Sequence, residues 1–89
     1  SLLTASPDDT AAFVDETLGE LAHAEPTLLD TVRTWISLQC NTSRASEALY
    51  THRNTVIRRL ARAEELLLRP LDESLLDVGV ALEVLRWRG

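Results

Sequence analysis

Asn41-Thr42-Ser43-Arg44-Ala45-Ser46-Glu47-Ala48-Leu49-Tyr50-Thr51-His52-Arg53-Asn54-Thr55-Val56-Ile57-Arg58-Arg59-Leu60-Ala61-Arg62-Ala63-Glu64-Glu65-Leu66-Leu67 reads as two helices with a break between them. Asn, Thr and Ser side chains accept hydrogen bonds from the free N–H groups of a first helical turn, so Asn41-Thr42-Ser43 predicts a short helix from about Ser43 to Leu49. Tyr50-Thr51-His52 interrupts the pattern, and a longer helix follows from about Arg53 to Leu68. Val56, Leu60, Ala63 and Leu67 fall on one face of it, and Asn54, Thr55, Arg58, Arg62 and Glu65 on the other. Ala45 and Ala48 are small enough for the short helix to cross the long one closely, with Leu49 and Val56 placed to meet beneath the turn. Short helix, turn and longer helix with a basic outer face is the form of a helix-turn-helix, spanning about residues 41–67.

The flanks read as helix too. Three Gly and three Pro in 89 residues, with no sustained two-residue alternation, predict an all-α bundle of about five helices in a single domain over residues 1–89. Ser6-Pro7-Asp8-Asp9 has a capping residue, Pro where its missing N–H is harmless, and two carboxylates at the positive end of a helix. Phe13, Val14, Thr17 and Leu21 follow at helical spacing until Gly19 weakens the helix late. A second helix opens near Pro26 and runs to about Gln39, carrying Leu28, Val32, Trp35 and Gln39 on one stripe; Trp35 is the expected centre of the core. Pro70 ends the Arg-rich helix, and a last helix is predicted from about Leu75 to Trp87. The start at Ser1 and the absence of Met suggest the C-terminal piece of a longer protein.

Net charge is −5, which by itself opposes phosphate binding, but its distribution reverses that impression. Residues 1–30 hold seven acids and no Arg; residues 31–63 hold six Arg against Glu47 alone; residues 64–89 hold six acids against three Arg. Every basic residue is Arg, whose planar fork matches phosphate and the major-groove edge of guanine. Arg33, Arg69, Arg86 and Arg88 lie outside the motif's basic face and are read as solvated charges. The one cysteine, Cys40, has no partner for an internal disulfide, in keeping with a reducing cytoplasm. No apolar run suits a membrane span or a secretory leader.

A helix held with its polar face outward fits the major groove, its first turn facing base edges and its later Arg residues reaching phosphates. Arg53, Asn54 and Thr55 occupy that first turn, and Arg58, Arg59 and Arg62 follow. Asn pairs bidentately with adenine and Arg with guanine. Thr42, Ser43 and Arg44, opening the preceding helix, are candidates for phosphate contacts. Arg59 lies nearer the buried stripe, where bridging to an acid such as Glu47 is the competing expectation. His52 is expected at the start of the recognition helix as a cap or turn-packing residue.

Ala45-x-x-x-Leu49-x-x-His52-Arg53-Asn54-Thr55-Val56-x-x-Arg59-Leu60, followed by Glu64-Glu65-Leu66-Leu67, resembles the C-terminal helix-turn-helix of the PucR and CdaR families, regulators of purine and sugar-diacid catabolism. Phe13 with Leu18-Gly19-x-Leu21, Leu28-Leu29-x-Thr31-Val32, and Leu71-Asp72 before an apolar last helix extend the resemblance over about Phe13 to Leu85. It implies binding to double-stranded promoter DNA, with upstream sensory or dimerising regions in the parent protein. His52, Arg53, Asn54, Thr55 and Arg59 match the motif residue by residue. The sequence departs at Thr51, where an apolar residue is usual, at Tyr50, where many such turns have Gly, and at Ile57, where a basic residue is common and an apolar contact to a thymine methyl is the replacement.

No catalytic constellation, metal site or cofactor motif is found. His23 and His52 are isolated, Ser43 and Ser46 lack a nucleophile setting, no glycine-rich phosphate loop occurs, and Asp8-Asp9, Glu64-Glu65 and Asp72-Glu73 sit at helix starts or on exposed faces. The rival reading is a helical protein-interaction or dimerisation module that never meets DNA, which the acidic first third favours. In the last helix, Leu75, Val78, Leu82 and Leu85 suit an inward face, while Leu76, Val80, Val84 and Trp87 make a second apolar face for a twin subunit or an upstream domain.

Overall fold

A computed structural model describes residues 7–88 and contains α1 (Pro7–Leu18), a 3-10 turn (Gly19–His23), α2 (Pro26–Ser37), α3 (Thr42–Ala48), α4 (Arg53–Leu67), a second 3-10 turn (Leu71–Glu73) and α5 (Leu75–Arg88). No strand occurs among the described residues, so the chain is an all-α bundle. Pro7 opens α1 as expected; Ser6, the expected cap, lies outside the described residues. Gly19 ends the helix because its φ of +55° is a left-handed conformation that costs Gly little.

Helix α2 stops two residues earlier than the pattern predicts, and its ending explains why. Gln39 and Cys40 both take positive φ, the Cys40 N–H donates to the Trp35 carbonyl at 2.8 Å, and the Gln39 N–H donates to that of Ile36 at 3.1 Å. This reversal satisfies carbonyls that a simple fraying end leaves open. It also turns the chain sharply enough for α3 to begin at Thr42.

Val14 and Leu18 of α1, Leu21 of the first 3-10 turn, Val32 of α2, Ala63 and Leu67 of α4, Leu71, and Val78, Ala81 and Leu82 of α5 form the buried core. Trp35, expected at its centre, packs against it only half-buried. The indole N–H needs a partner when it leaves water, and it finds one at the seam between helices, donating to the Thr42 hydroxyl at 3.3 Å. Leu18, Leu21 and Leu82, which carry no such requirement, fill the centre.

Two arginines expected to be solvated have structural partners instead. Arg69 donates to the Thr17 carbonyl at 3.0 Å, tying the end of α4 back to α1. Arg33 is only 19% exposed in its side chain and pairs with Asp30 at 2.6 Å. Arg86 is exposed, with Glu83 at 3.8 Å and the Trp87 ring beneath it at 5.9 Å; the side chain of Arg88 lies outside the described residues. Glu64, read as an exposed acid, is half-buried and accepts the Leu71 N–H at 2.7 Å, closing the bend at Pro70.

Candidate nucleic-acid interface

The interface is set by how α3 holds α4. Asn41 caps α3, its side-chain oxygen accepting the Arg44 N–H at 3.0 Å, and Trp35 pins Thr42 from behind. Ser46 donates to the Ser43 carbonyl at 2.7 Å. Ala45 is fully buried at the crossing with α4. Ala48, expected to share that crossing, faces solvent; one small residue suffices because α3 is only two turns long.

The turn between the helices depends on Tyr50. With φ at +54° it sends the chain back on itself, the Thr51 N–H donating to the Ser46 carbonyl at 3.0 Å and the Tyr50 N–H to that of Glu47 at 3.2 Å. Leu49 is half-buried and Val56 fully buried on the inner side. His52 takes the cap position of α4 through its backbone carbonyl, which accepts from Thr55 at 3.0 Å and Val56 at 3.2 Å. Its exposed ring makes no capping hydrogen bond.

Burial of Val56, Ala63 and Leu67 fixes the rotation of α4 and thereby its outer face. Asn54, Arg58, Ala61 and Glu65, spaced four, three and four apart, are all exposed along one stripe, with Arg53 and Ile57 beside its first turns. Ser43 and Arg44 are exposed at the start of α3. Thr42 and Thr55 are half-buried, and the Thr42 hydroxyl already accepts the Trp35 indole. Asn41 already takes the Arg44 N–H, so that group of the first turn of α3 is engaged within the chain. Ala61 was not singled out by sequence pattern, although it lies three and seven residues from Arg58 and Asn54, the spacing that marks the stripe.

Two of the candidate arginines are already engaged. Arg59 turns off the stripe and donates to the buried Thr31 hydroxyl at 3.3 Å rather than to Glu47. Thr31 in turn donates to the Thr27 carbonyl at 2.8 Å. Arg62 pairs with Glu65 at 3.0 Å with both side chains well exposed, an interaction worth no more than about 1 kcal/mol, which a phosphate can displace. Glu20 and Glu25 share a cleft of about 630 Å³ with Arg59 and Arg62. The acidic first third thus borders α4 on that flank, leaving the basic character to Arg53 and Arg58 on the other.

Among the described residues no group of His, Cys, Asp and Glu is placed to hold a metal ion, and no helix is long and apolar enough to cross a membrane.

Comparison with known proteins identifies the family of the chain. Residues 28–84 match the family described as the PucR C-terminal helix-turn-helix domain. The purine catabolism regulatory protein of Bacillus subtilis (strain 168) is 36% identical over 84 residues, covering 89% of this chain and 16% of that protein. The chain therefore spans about a sixth of the length of the curated relative it matches. No solved structure matches.

Proposed function

Because the chain belongs to the family of PucR C-terminal helix-turn-helix domains, we propose that it binds promoter DNA sequence-specifically as part of a bacterial, cytoplasmic transcription regulator, with α4 in the major groove. The observation that carries this reading is the exposed stripe of Asn54, Arg58 and Ala61 beside Arg53, on a helix whose rotation is fixed by three buried residues. Asn54 and Arg53, in the first turn, read base edges; Arg58 reaches phosphate; Ser43 and Arg44 hold the adjacent backbone. Arg62 joins once it leaves Glu65, and Arg59 acts by holding α4 against α2. The role is recognition rather than catalysis.

So few phosphate contacts on an acidic domain give weak binding to a single half-site, and paired copies present two recognition helices to half-sites about 34 Å apart. The test is affinity for a selected duplex as a function of salt. The DNA reading requires log affinity to fall linearly with log salt, with a slope near one unit per phosphate contact. A protein-interaction module that never meets DNA shows no duplex affinity at any salt.

A further inference from the structure

The turn between α3 and α4 carries a side chain that its own closure does not need. Tyr50 holds φ at +54°, a left-handed conformation that disfavours every residue with a Cβ. The two hydrogen bonds that close the turn, from the Tyr50 N–H to the Glu47 carbonyl and from the Thr51 N–H to that of Ser46, use backbone alone. Gly would close the same turn with less strain. Packing does not offset the cost, because the ring is 96% exposed and stands clear of the core. Tyrosine gains most where its ring covers apolar surface and only its hydroxyl stays wet, and here both lie in water. Backbone strain that the fold itself does not recover points to a residue acting on something outside the fold.

Leu68 takes the same conformation at the other end of α4 and is also exposed, so strain alone does not mark a site. Tyr50 differs in carrying a hydroxyl and in standing at the end of α4 that leads with His52, Arg53 and Asn54, all exposed. We propose, resting on the placement of α4 in the major groove given above, that the Tyr50 hydroxyl donates to a phosphate oxygen of the strand bordering the first turn of α4. Three residues separate Tyr50 from Arg53, at most about 11 Å along the chain, so the ring stands beside the residues assigned to base edges. Tyrosine is among the side chains that supply phosphate contacts, which fix register without reading sequence. The neighbours of Tyr50 favour the DNA backbone over a protein partner. Glu47, Ala48, His52 and Arg53 are exposed and are small, polar or charged, so the ring has no apolar patch around it for a protein to cover. On an acidic chain with few free arginines, a neutral phenol adds a backbone contact without adding a released counterion.

Two variants test the contact, with thermal melting and duplex affinity measured for each on a selected and on a scrambled duplex over a range of salt. Tyr50→Phe keeps the ring and the backbone conformation and removes only the hydroxyl. It is expected to melt like the native chain and to bind both duplexes about tenfold more weakly, with the salt slope unchanged because no charge is lost. Tyr50→Gly is expected to melt higher and to bind no better than Tyr50→Phe, so that stability and affinity move in opposite directions. Replacing phosphates of the selected duplex one at a time by methylphosphonate should reveal one position that weakens the native chain and leaves Tyr50→Phe indifferent. A Tyr50→Phe variant that binds like the native chain, or the absence of any such phosphate, overturns the contact while leaving the placement of α4 standing. A native chain with no duplex affinity at any salt overturns both.

Discussion

Arg59 of α4 donates to the Thr31 hydroxyl of α2 at 3.3 Å, while its neighbour Arg58 stands in solvent on the outer stripe. Adjacent arginines in one motif therefore do different work. Arg59→Ala and Thr31→Val are each expected to lower unfolding free energy by about 1.5–3 kcal/mol, the usual size for a hydrogen bond to a charged group. Arg58→Ala leaves stability unchanged and shallows the salt dependence of duplex binding by about one unit. Urea titrations beside salt titrations separate the two; an Arg58→Ala variant that binds duplex like the native chain removes that residue from the interface.

If α4 binds DNA as proposed, Glu65 competes with a phosphate for Arg62. Glu65→Gln releases the guanidinium from its 3.0 Å pair and removes a negative charge from the outer stripe. Duplex affinity is expected to rise several-fold at low salt and to converge on the native value at high salt. A drop in affinity assigns Glu65 itself a contact with DNA.

On the proposed reading, base readout divides between a polar and an apolar residue. Asn54→Ala is expected to relax preference at one base pair at a cost of about 1–3 kcal/mol, with non-specific affinity little changed. Ile57, 44% exposed beside the stripe, is the proposed contact to a thymine methyl. Substituting deoxyuridine for thymine along a selected site should weaken the native chain at one position and leave Ile57→Ala indifferent there. The same consensus returned by selection for Asn54→Ala would falsify its role in readout.

Tyr50 holds a left-handed conformation, φ +54°, with its side chain 96% exposed. A side chain other than Gly costs about 1–2 kcal/mol there, and the greater unfolded-state freedom of Gly returns about 0.5–1 kcal/mol. Tyr50→Gly therefore stabilises the domain by about 0.5–1 kcal/mol, read as a higher Tm. Destabilisation would show the ring to be packed in solution.

Burial pushes the Cys40 thiol up from its ordinary pKa. The folded state then holds the thiol proton to higher pH than the unfolded chain does. Stability is unaffected below the ordinary thiol range and declines as pH rises through and above it, because the unfolded chain ionises first. Cys40→Ser should remove that alkaline decline from a series of Tm measurements, and alkylation of native Cys40 at neutral pH should be slower than in denaturant.

The parts of the molecule legible in the sequence are those governed by local rules. Spacing on one helix identified Val56, Ala63 and Leu67 as the inner face of α4 and so oriented Asn54 and Arg58 outward; capping chemistry placed the start of α3 near Ser43, one residue from Thr42 where it begins. Resemblance to a known family added the role of the motif. What depended on distant partners was not legible. Arg69 meets Thr17 across 52 residues of chain, Arg59 meets Thr31 across 28, and nothing local distinguishes such an arginine from a solvated one. Trp35 misled for a related reason: size argued for the centre, whereas its N–H required the edge, beside a hydroxyl supplied by the next helix.

The two indoles divide the molecule between them. Trp35 lies at the seam that orients α3, bonded to Thr42, and Trp87 stands in water at the end of α5. Each side of the domain thus carries its own intrinsic optical reporter. Iodide should quench Trp87 and largely spare Trp35, so a single-tryptophan variant, Trp87→Phe or Trp35→Phe, lets fluorescence follow events at the motif or at the far face separately and without an attached label.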